Sequence, residues 1–414
     1  MATLYWLGTA DAVAQSSTVQ ITGDDAATTY TITIGGHTVS VAGSGTGVND
    51  TAAALETALL ASTDPYFAAV TWAAVTDTIT GTADTPGAPF VATSSVNGGA
   101  GTIGAVATPT ASAGPNHWDT AANWSTGSVP VAADSVIIEN NSINICWGLA
   151  QSAVDLASYD QRKTYTGKIG LNRGVFATSA DAETTDATEV EYRDDYLFLE
   201  STLWDFGSHT GPSTPAGSAR TKIDMNVHAA TVTVHSTAAN PSETGLSALR
   251  LLMNNAANIV YVRSAPGGVG IAVDAPDETS TLARVSISDI STATKVTLSA
   301  GVTITTYDQT GGTNQLNAAA NITTVTIDGG VITSDGAYTV TTGTLNAGTW
   351  NANHTGTGFT TLNLAGGIMD ARGSSVARTW STVNMSVGAT LRASPVVTIT
   401  TLNEPTDPYT LAAT

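Results

Sequence analysis

The sequence predicts a mainly β protein: a right-handed parallel β-helix, or solenoid, with a small α+β module inserted near the N-terminus. Three observations lead to this prediction. The 414 residues are 42% hydrophobic but only 12% charged, and Thr, Ala, Gly and Ser fill the difference, as strands and turns require. A glycine-anchored repeat runs through the C-terminal half. Two tryptophan-containing segments are separated by a stretch of unrelated pattern, residues 12–114.

Residues 12–114 are the predicted module. The dipeptide Gly35-Gly36 lies between two alternating apolar segments and favours a tight hairpin turn. The Gly- and Ala-rich run 97–114 is expected to be the exit linker. Strands are expected at 17–22, 29–34, 37–42, 69–72, 76–81 and 90–93. Together with one helix they would form a compact unit, a helix on a small antiparallel sheet.

The helix of this module is predicted to begin near Asn49 or Asp50, either of which can cap its N-terminus. It should run to about Ala61, because Asp64-Pro65 follows and proline cannot continue a helix. Its apolar residues fall on one face, and these are Ala52, Leu55, Ala58 and Leu59.

The two segments that flank the module are expected to form one interrupted element. Residues 5–8 are Tyr-Trp-Leu-Gly, and residues 118–125 are Trp-Asp-Thr-Ala-Ala-Asn-Trp-Ser. We predict that residues 1–11 and 115–218 form the N-terminal part and cap of the β-helix. In this cap Trp118, Trp124 and Trp147 would cover the end of the core. After a strand at 136–138, the chain to about residue 217 is expected to be irregular.

The repeat is the clearest pattern in the sequence. Each copy has an apolar, any, apolar triplet, two small or polar residues, a glycine and a second apolar strand. The copies lie at residues 325–332, 343–350, 362–369 and 383–391, with an upstream copy at 296–304. Glycines at the predicted corners tolerate backbone angles that a Cβ forbids, and they are Gly330, Gly348, Gly367 and Gly388.

Stacking of these copies predicts a continuous core, because neither short strand can bury a face alone. The residues Ile327, Leu345, Leu364 and Met385 should lie one above another. Residues 219–414 are therefore predicted to be the β-helix repeats and a C-terminal tail. With roughly nine coils at about 4.8 Å each, the repeats would extend on the order of 45 Å.

Residues 5–8 and 118–125, with Val129-Pro130 and Asp134, resemble the opening of a group of phage and prophage virion proteins. In that group an N-terminal Tyr-Trp-Val/Leu-Gly leads to an Asn-Trp-Ser motif and then to a strand. Residues 12–114 resemble small domains inserted in phage tail and capsid-associated proteins, and residues 298–312 resemble the β-helical part of such proteins. The resemblance implies a virion role and no catalytic residues, and secreted autotransporter-like repeats share the Asn-Trp-Ser motif.

Charge and hydropathy exclude several partners. A formal net charge of −20 and a pI of about 4.3 disfavour nucleic-acid binding through a basic face. No Sec signal and no membrane-spanning stretch is predicted. Cys146 is the only cysteine, so no intrachain disulfide forms, and its apolar neighbours predict a buried thiol.

No catalytic constellation is predicted. A polysaccharide lyase or hydrolase on a β-helix needs clustered carboxylates with an acid, base or metal role, and the charges between 298 and 404 are scattered. The doublet Asp194-Asp195 is more typical of a solvated loop. Weak calcium candidates lie in one acidic stretch, namely Asp181, Glu183, Asp186, Asp194 and Asp195. No cofactor is expected.

The sequence thus favours a structural component of a phage virion over an enzyme. Capsid decoration, cementing or another capsid-associated role is the first expectation. The protein would be made in the host cytoplasm, contact other capsid or tail proteins, and form a homo-oligomer such as a trimer. The alternatives are a tail fibre or tail spike that binds host polysaccharide, and a bacterial surface adhesin. A polysaccharide-binding spike would need exposed aromatic rows, for which the repeats offer only Trp350 and Trp380.

Overall fold

The computed structural model is mainly β, as predicted, with one large parallel sheet, two small antiparallel sheets and little helix. The residues that the structure describes are 2–170, 196–208, 220–238, 247–272, 279–289, 293–318, 320–334, 336–352, 357–373 and 376–405. Within these ranges, no helix is both long and apolar enough to span a membrane.

The chain opens with one strand of the large sheet and then enters the module. The elements up to residue 110 are β1 (Thr3–Tyr5), β2 (Ser16–Gly23), β3 (Thr29–Ile34), β4 (His37–Ala42), α1 (Val48–Leu60), α2 (Pro65–Ala68), β5 (Val70–Val75), β6 (Thr78–Ala83), β7 (Ala92–Asn97), β8 (Thr102–Ile103) and β9 (Ala107–Thr110). A 3₁₀ turn, Ala121–Asn123, follows the module.

The remaining strands all belong to the large sheet. In its first half they are β10 (Ser135–Ile138), β11 (Ala150–Leu156), β12 (Ser158–Gln161), β13 (Lys168–Ile169), β14 (Leu197–Ser201), β15 (Leu203–Phe206), β16 (Arg220–Asp224), β17 (Thr231–Val234), β18 (Leu249–Leu252), β19 (Ile259–Val262), β20 (Val269–Ile271) and β21 (Ser280–Ile287). In its second half they are β22 (Val296–Gln309), β23 (Thr313–Ala318), β24 (Ile322–Ile327), β25 (Val331–Ser334), β26 (Thr339–Leu345), β27 (Thr349–Asn351), β28 (Gly358–Leu364), β29 (Ile368–Ala371), β30 (Arg378–Met385), β31 (Thr390–Ala393) and β32 (Val397–Asn403).

The large sheet is built from two parallel ladders that the chain visits in turn. In the second half, β24 pairs with β26, β26 with β28, β28 with β30 and β30 with β32. Between them in sequence, β25, β27, β29 and β31 pair with one another in the same way. We call these the first and the second ladder. Each repeat therefore supplies one strand to each ladder, joined by a short corner.

The predicted column of core residues is confirmed. The register places Ile327 beside Leu345, Leu345 beside Leu364, and Leu364 beside Met385. The first three side chains are buried, and Met385, nearer the last strand, is partly buried.

The four predicted corner glycines all have positive φ, between 70° and 91°. At Gly348 and Gly367 a Cβ would also collide with the backbone of the preceding corner. At Gly388 nothing lies within 4 Å of the place that a Cβ would take. All four corners therefore need a residue that tolerates positive φ. At the last corner, unlike Gly348 and Gly367, no neighbouring backbone would collide with a Cβ.

The upstream copy at 296–304 was assigned the wrong phase. Residues 296–298 pair in the second ladder, while residues 306–309 pair in the first. They belong to one unbroken strand, β22. The corner that corresponds to Gly330 is Gly312, which has a φ of 80°.

The described parts of the stretch between residue 139 and about 217, residues 139–170 and 196–208, contain regular strands, contrary to prediction. They contribute β11 to β15, which continue both ladders toward the N-terminus. The repeat is hard to see here because its spacing is long and variable. Tyr159 and Trp204 are neighbours in the register, although far more than one ordinary repeat separates them in sequence.

The core of the large sheet is apolar along almost its whole length, but two glutamines are buried in the column that contains Ile327. Gln309 accepts a hydrogen bond from the Tyr307 hydroxyl at 2.8 Å and donates to the Gly329 carbonyl. Gln161 is held by Tyr159 and Thr221 in a similar way. Because these amides are hydrogen-bonded, the cost of burying them is offset.

The module has its own cluster of buried apolar residues, separate from that of the large sheet. The hairpin at Gly35-Gly36 is confirmed, since β3 and β4 pair antiparallel across it. Two antiparallel sheets are present rather than one, β5-β6-β2-β8 with β9 beside β2, and β4-β3-β7. Residues 97–114 are not a simple linker, because β8 and β9 pair with β2.

Helix α1 buries Ala52, Leu55 and Leu59 as predicted. Its N-cap is Gly47, not Asn49 or Asp50. No described side chain caps this helix. Asp24 anchors its start instead, because it accepts hydrogen bonds from the Gly47 N–H at 2.9 Å and from the Thr51 hydroxyl at 2.6 Å. Asp64 instead caps α2, where it accepts from the Tyr66 N–H.

Candidate functional site

Three tryptophans seal the N-terminal end of the large sheet, and we call Trp6, Trp118 and Trp124 the aromatic cap. Each is 2% exposed or less. Trp124 lies between the other two, with ring centroids 5.1 Å from Trp6 and 4.7 Å from Trp118, both edge to face. This geometry is the favourable one for aromatic pairs, and the cap continues into the core where Trp118 stacks on Tyr159.

The cap is locked by one buried amide. Asn123 accepts a hydrogen bond from the Ala10 N–H at 2.8 Å and donates to the carbonyls of Gly114 and His117, both at 2.8 Å. Its own backbone carbonyl accepts from Leu7 at 2.7 Å. Residues 5–8 and 118–125 are therefore held together as one element, in the way that their sequences suggested.

The chain enters and leaves the module at one place. Val13 and Ala113 form an antiparallel bridge, in which the Val13 N–H donates to the Ala113 carbonyl at 2.8 Å. His117 Nε2 donates to the Gly87 carbonyl at 2.7 Å. The module is thus attached beside the aromatic cap.

A cavity of about 590 Å³ lies at this junction. Its size falls in the range of small-ligand sites. None of its lining residues is charged, and they are Ile34, Gly35, Tyr66, Ala69, Val70, Ala83, Thr85, Ala88, Pro89, Phe90, Val91 and Trp147. The lining of the cavity is therefore uncharged and mostly apolar.

One wall of this cavity is rigid. The Tyr66 ring stacks on the His37 ring at 4.4 Å between centroids, and His37 Nδ1 lies 2.7 Å from an Asp64 carboxylate oxygen. Gly35 packs under the tyrosine so closely that a Cβ there would collide with the ring. Trp147, which was predicted to cap the core, lines the cavity instead and is only partly buried.

The densest group of charges among the described residues lies near the start of the first ladder. Arg162 donates to Asp160 and to Glu139, both at 2.7 Å. Asp160 and Asp205 are register neighbours on β12 and β15, and His235 lies 3.3 Å from Asp205. Burial raises the pKa of the Asp205 carboxyl above its ordinary value, and the charge of His235 acts against that rise. We call these five residues the carboxylate–histidine cluster.

A second group lies on the other ladder. The imidazole of His228 is 3.5 Å from Asp155 and 3.8 Å from Glu200. Burial also raises the pKa of the nearby Asp224 carboxyl, which accepts from the Asn226 N–H. In the part of the chain that the structure describes, no three His, Cys, Asp or Glu side chains are grouped so as to hold a metal ion.

The five weak calcium candidates lie outside the described residues, since Asp181, Glu183, Asp186, Asp194 and Asp195 all fall between residues 171 and 195. Cys146 is partly exposed and lines a smaller cavity of about 420 Å³, so the prediction of a buried thiol was wrong. Trp350 and Trp380, the aromatic residues considered for a sugar-binding row, are fully buried in the core.

The carboxylate–histidine cluster and the junction cavity were not anticipated from sequence. The signal for the cluster would have been the register, because Asp160 and Asp205 are neighbours on β12 and β15, and His235 directly follows the next strand of that ladder, β17. The long interval between β12 and β15 conceals that relation. The signal for the cavity is weaker, because its walls come from segments with ordinary apolar composition.

The C-terminal end of the large sheet differs from the capped end. Within the described residues, β32 pairs only with β30, and β31 only with β29. Leu402 on β32 is 43% exposed, and Val387 at the last corner is 77% exposed. Val397 and Ile399 pack against the core but stay partly exposed.

The comparisons with known proteins add no relative. A scan against family models, a search of curated proteins and a search of solved structures each found no match. The function proposed below therefore depends on the residues and geometry described here, and on the resemblance of residues 5–8 and 118–125.

Proposed function

We propose that this protein is a structural component of a phage virion that decorates or cements the capsid, or is otherwise capsid-associated, and that it catalyses no reaction. The observation that carries the proposal is the arrangement of one long parallel sheet with a sealed end, beside which the module is attached. With a stiff sheet joined to a compact module, one part can attach to the particle while the other is displayed on its surface. The resemblance of the cap segments to virion proteins supports the same role.

In this proposal the large sheet is a right-handed parallel β-helix. Two features support the winding. The chain alternates between two ladders, and each repeat returns to the same register. Parallel strands joined by crossovers within one sheet are right-handed in nearly all proteins. The coil would then contain one strand of each ladder and a glycine corner, and the module would be an insertion between two strands of the first coils.

Two described carboxylates are held by arginine in the manner of structural ion pairs. In the carboxylate–histidine cluster, Asp160 accepts from both Arg162 and Ser208. Asp370, near the C-terminal end, is bound twice by Arg372. These pairings support a structural role for both carboxylates.

The rival role, a tail spike that binds polysaccharide, lacks the aromatic row that it would need on the repeats, because Trp350 and Trp380 are buried. The bacterial adhesin is a second rival and requires a route of secretion. Both rivals make different predictions about where the protein is found. The proposed partners are other virion proteins and further copies of this chain.

The test is quantitative mass spectrometry of purified particles. We expect the protein in the virion at a copy number in the hundreds, as capsid decoration requires. A copy number of a few to a few dozen would move the protein to the tail. Its absence from particles, with recovery in outer-membrane or secreted fractions of the host, would refute a virion role.

A further inference from the structure

The last strands of the large sheet present an unusually open edge. Among the described residues, no strand pairs with the outer side of β32. This strand has seven residues, mostly Thr and other β-branched types. Its core-facing side chains Val397, Ile399 and Leu402 are all partly exposed. Such an edge is a template for pairing with another strand.

The charge near this edge is nearly balanced, although the whole chain has a net charge of −20. The described residues from 376 to 405 contain two arginines, Arg378 and Arg392, and one glutamate, Glu404. Two copies can therefore approach through this end without the repulsion that their other surfaces would produce.

The other end is a poor partner for this edge. Strand β1 has only three residues, and Ser125 already engages the backbone of its last residue. The Ser125 N–H donates to the Tyr5 carbonyl at 3.0 Å, and the Tyr5 N–H donates to the Ser125 hydroxyl at 3.0 Å. Pairing of like ends is therefore favoured over head-to-tail stacking of copies.

We propose that β32 pairs antiparallel with β32 of a second copy, around a two-fold axis between Thr400 and Thr401. This register places Ile399 opposite Leu402 of the second copy, and both lie on the core face. A two-fold contact is self-complementary by construction. The pairing would cover the apolar side chains that the end of the sheet leaves exposed.

The outer face supports the same register. Asn384 donates to Asn363 at 2.8 Å, and Asn403 donates to Asn384 at 2.7 Å. This ladder of amides ends at Asn403. In the proposed register Asn403 lies opposite Thr398 of the second copy, whose hydroxyl can donate to the Asn403 side-chain oxygen.

The inference deepens the homo-oligomer part of the proposed function and rests only on that part. It replaces a trimer by a dimer with a defined contact. If particle mass spectrometry refuted the virion role, the dimer would stand. If the dimer failed, the virion role would be untouched.

Sedimentation equilibrium of the full chain over a range of concentrations tests the proposal. We expect a monomer–dimer equilibrium. Leu402→Lys should weaken the dimer by about tenfold or more, because two lysines would face the partner across the axis. The matched control is Val75→Lys in the module, where the valine is 71% exposed, and it should leave the equilibrium unchanged.

Thr400→Glu is a second variant that should weaken the dimer, and it lies at an exposed site. If Leu402→Lys fails to fold, the dimer affinity of Thr400→Glu tests the proposal instead. A wild-type chain that stays monomeric at all concentrations would overturn the proposal, as would a dimer or trimer that neither variant weakens. The alternative occupant of the β32 edge is the segment of this chain after Pro405. A chain ending at residue 405 should still dimerise with the same affinity, whereas a monomer that dimerises only after this truncation would show that the tail occupies the edge.

Discussion

The two ends of the large sheet solve the same problem in different ways. Leu4 in β1 and Leu402 in β32 belong to the first and last strands of one ladder. Leu4 is 1% exposed and Leu402 is 43% exposed. The difference arises from what lies beyond each strand, since the aromatic cap covers the first end and no described residue pairs beyond the last.

This comparison shows what sealing a parallel sheet requires. Pairing satisfies the backbone along the ladder but leaves the apolar column open at its ends. The N-terminal end is closed by the three tryptophan rings and by the Asn123 side chain, which makes three hydrogen bonds. Among the described residues, the C-terminal end continues the ordinary repeat to its last strand, and the core side chains of that strand stay partly exposed.

The largest contrast is expected from Leu→Ala at the two ends. Leu4→Ala should lower the free energy of unfolding by about 2–5 kcal/mol, because it leaves a cavity under the cap. Leu402→Ala should cost about 1 kcal/mol or less, since much of the side chain is exposed in the monomer. Urea denaturation followed by circular dichroism, at concentrations low enough to dissociate any dimer, measures both. Equal losses would show that the C-terminal end is as well sealed as the other.

A smaller contrast is expected from the two amides that lie near these ends. Asn123→Ala should cost about 2–3 kcal/mol, because the buried carbonyls of Gly114 and His117 lose a donor. Asn384→Ala, in the half-buried amide ladder, is the matched control and should cost about 1 kcal/mol. The same denaturation measurement applies. If Asn384→Ala cost as much as Asn123→Ala, the cap would not be the tighter structure.

The smallest expected difference is in how stability depends on pH. Hydrogen bonds, chiefly the one from Thr51, hold the pKa of Asp24 in the module below its ordinary value. Folding therefore favours the ionised form, so its stabilisation is present above the ordinary Asp pKa near about 4 and is lost as the pH falls through the lowered folded value. Asp24→Asn should make module stability less dependent on pH below about 4, measured as the urea midpoint of α1 unfolding across that range.

Asp370→Asn is the control for this prediction at the other end. The hydrogen bond from Arg372 lowers the pKa of Asp370 in the same direction, but the arginine side chain is 62% exposed. Solvent screens an exposed pair, so the substitution should change the pH dependence less than Asp24→Asn does. An equal or larger effect at Asp370 would contradict this ranking.

The repeat region was predictable because its corners require glycine and its spacing stays short. Gly330, Gly348 and Gly367 mark the corners in sequence as they do in the structure. Their regular interval fixes which apolar residues are neighbours, so Ile327 and Leu345 could be placed side by side. The hairpin at Gly35-Gly36 was predictable for a similar local reason.

The earlier part of the sheet was not predictable, because register there depends on distant segments. β12 and β15 pair although a long insertion separates them. The same cause hid the carboxylate–histidine cluster, whose members are neighbours only through that register. Gln161 and Gln309 are polar residues at core positions, and hydropathy alone assigns such residues to the surface. The prediction of the α1 N-cap was wrong because Gly47 takes that position, and its N–H is bound by Asp24, which is remote in sequence.

The register of the repeat has a consequence at the level of the gene. Ile327 pairs with Leu345, and Val331 pairs with Thr349, so both ladders advance by eighteen residues at this step. A duplication or deletion of eighteen codons here would add or remove one strand from each ladder and leave every other pairing in place. Such a change would lengthen or shorten each ladder by one strand spacing, about 4.8 Å.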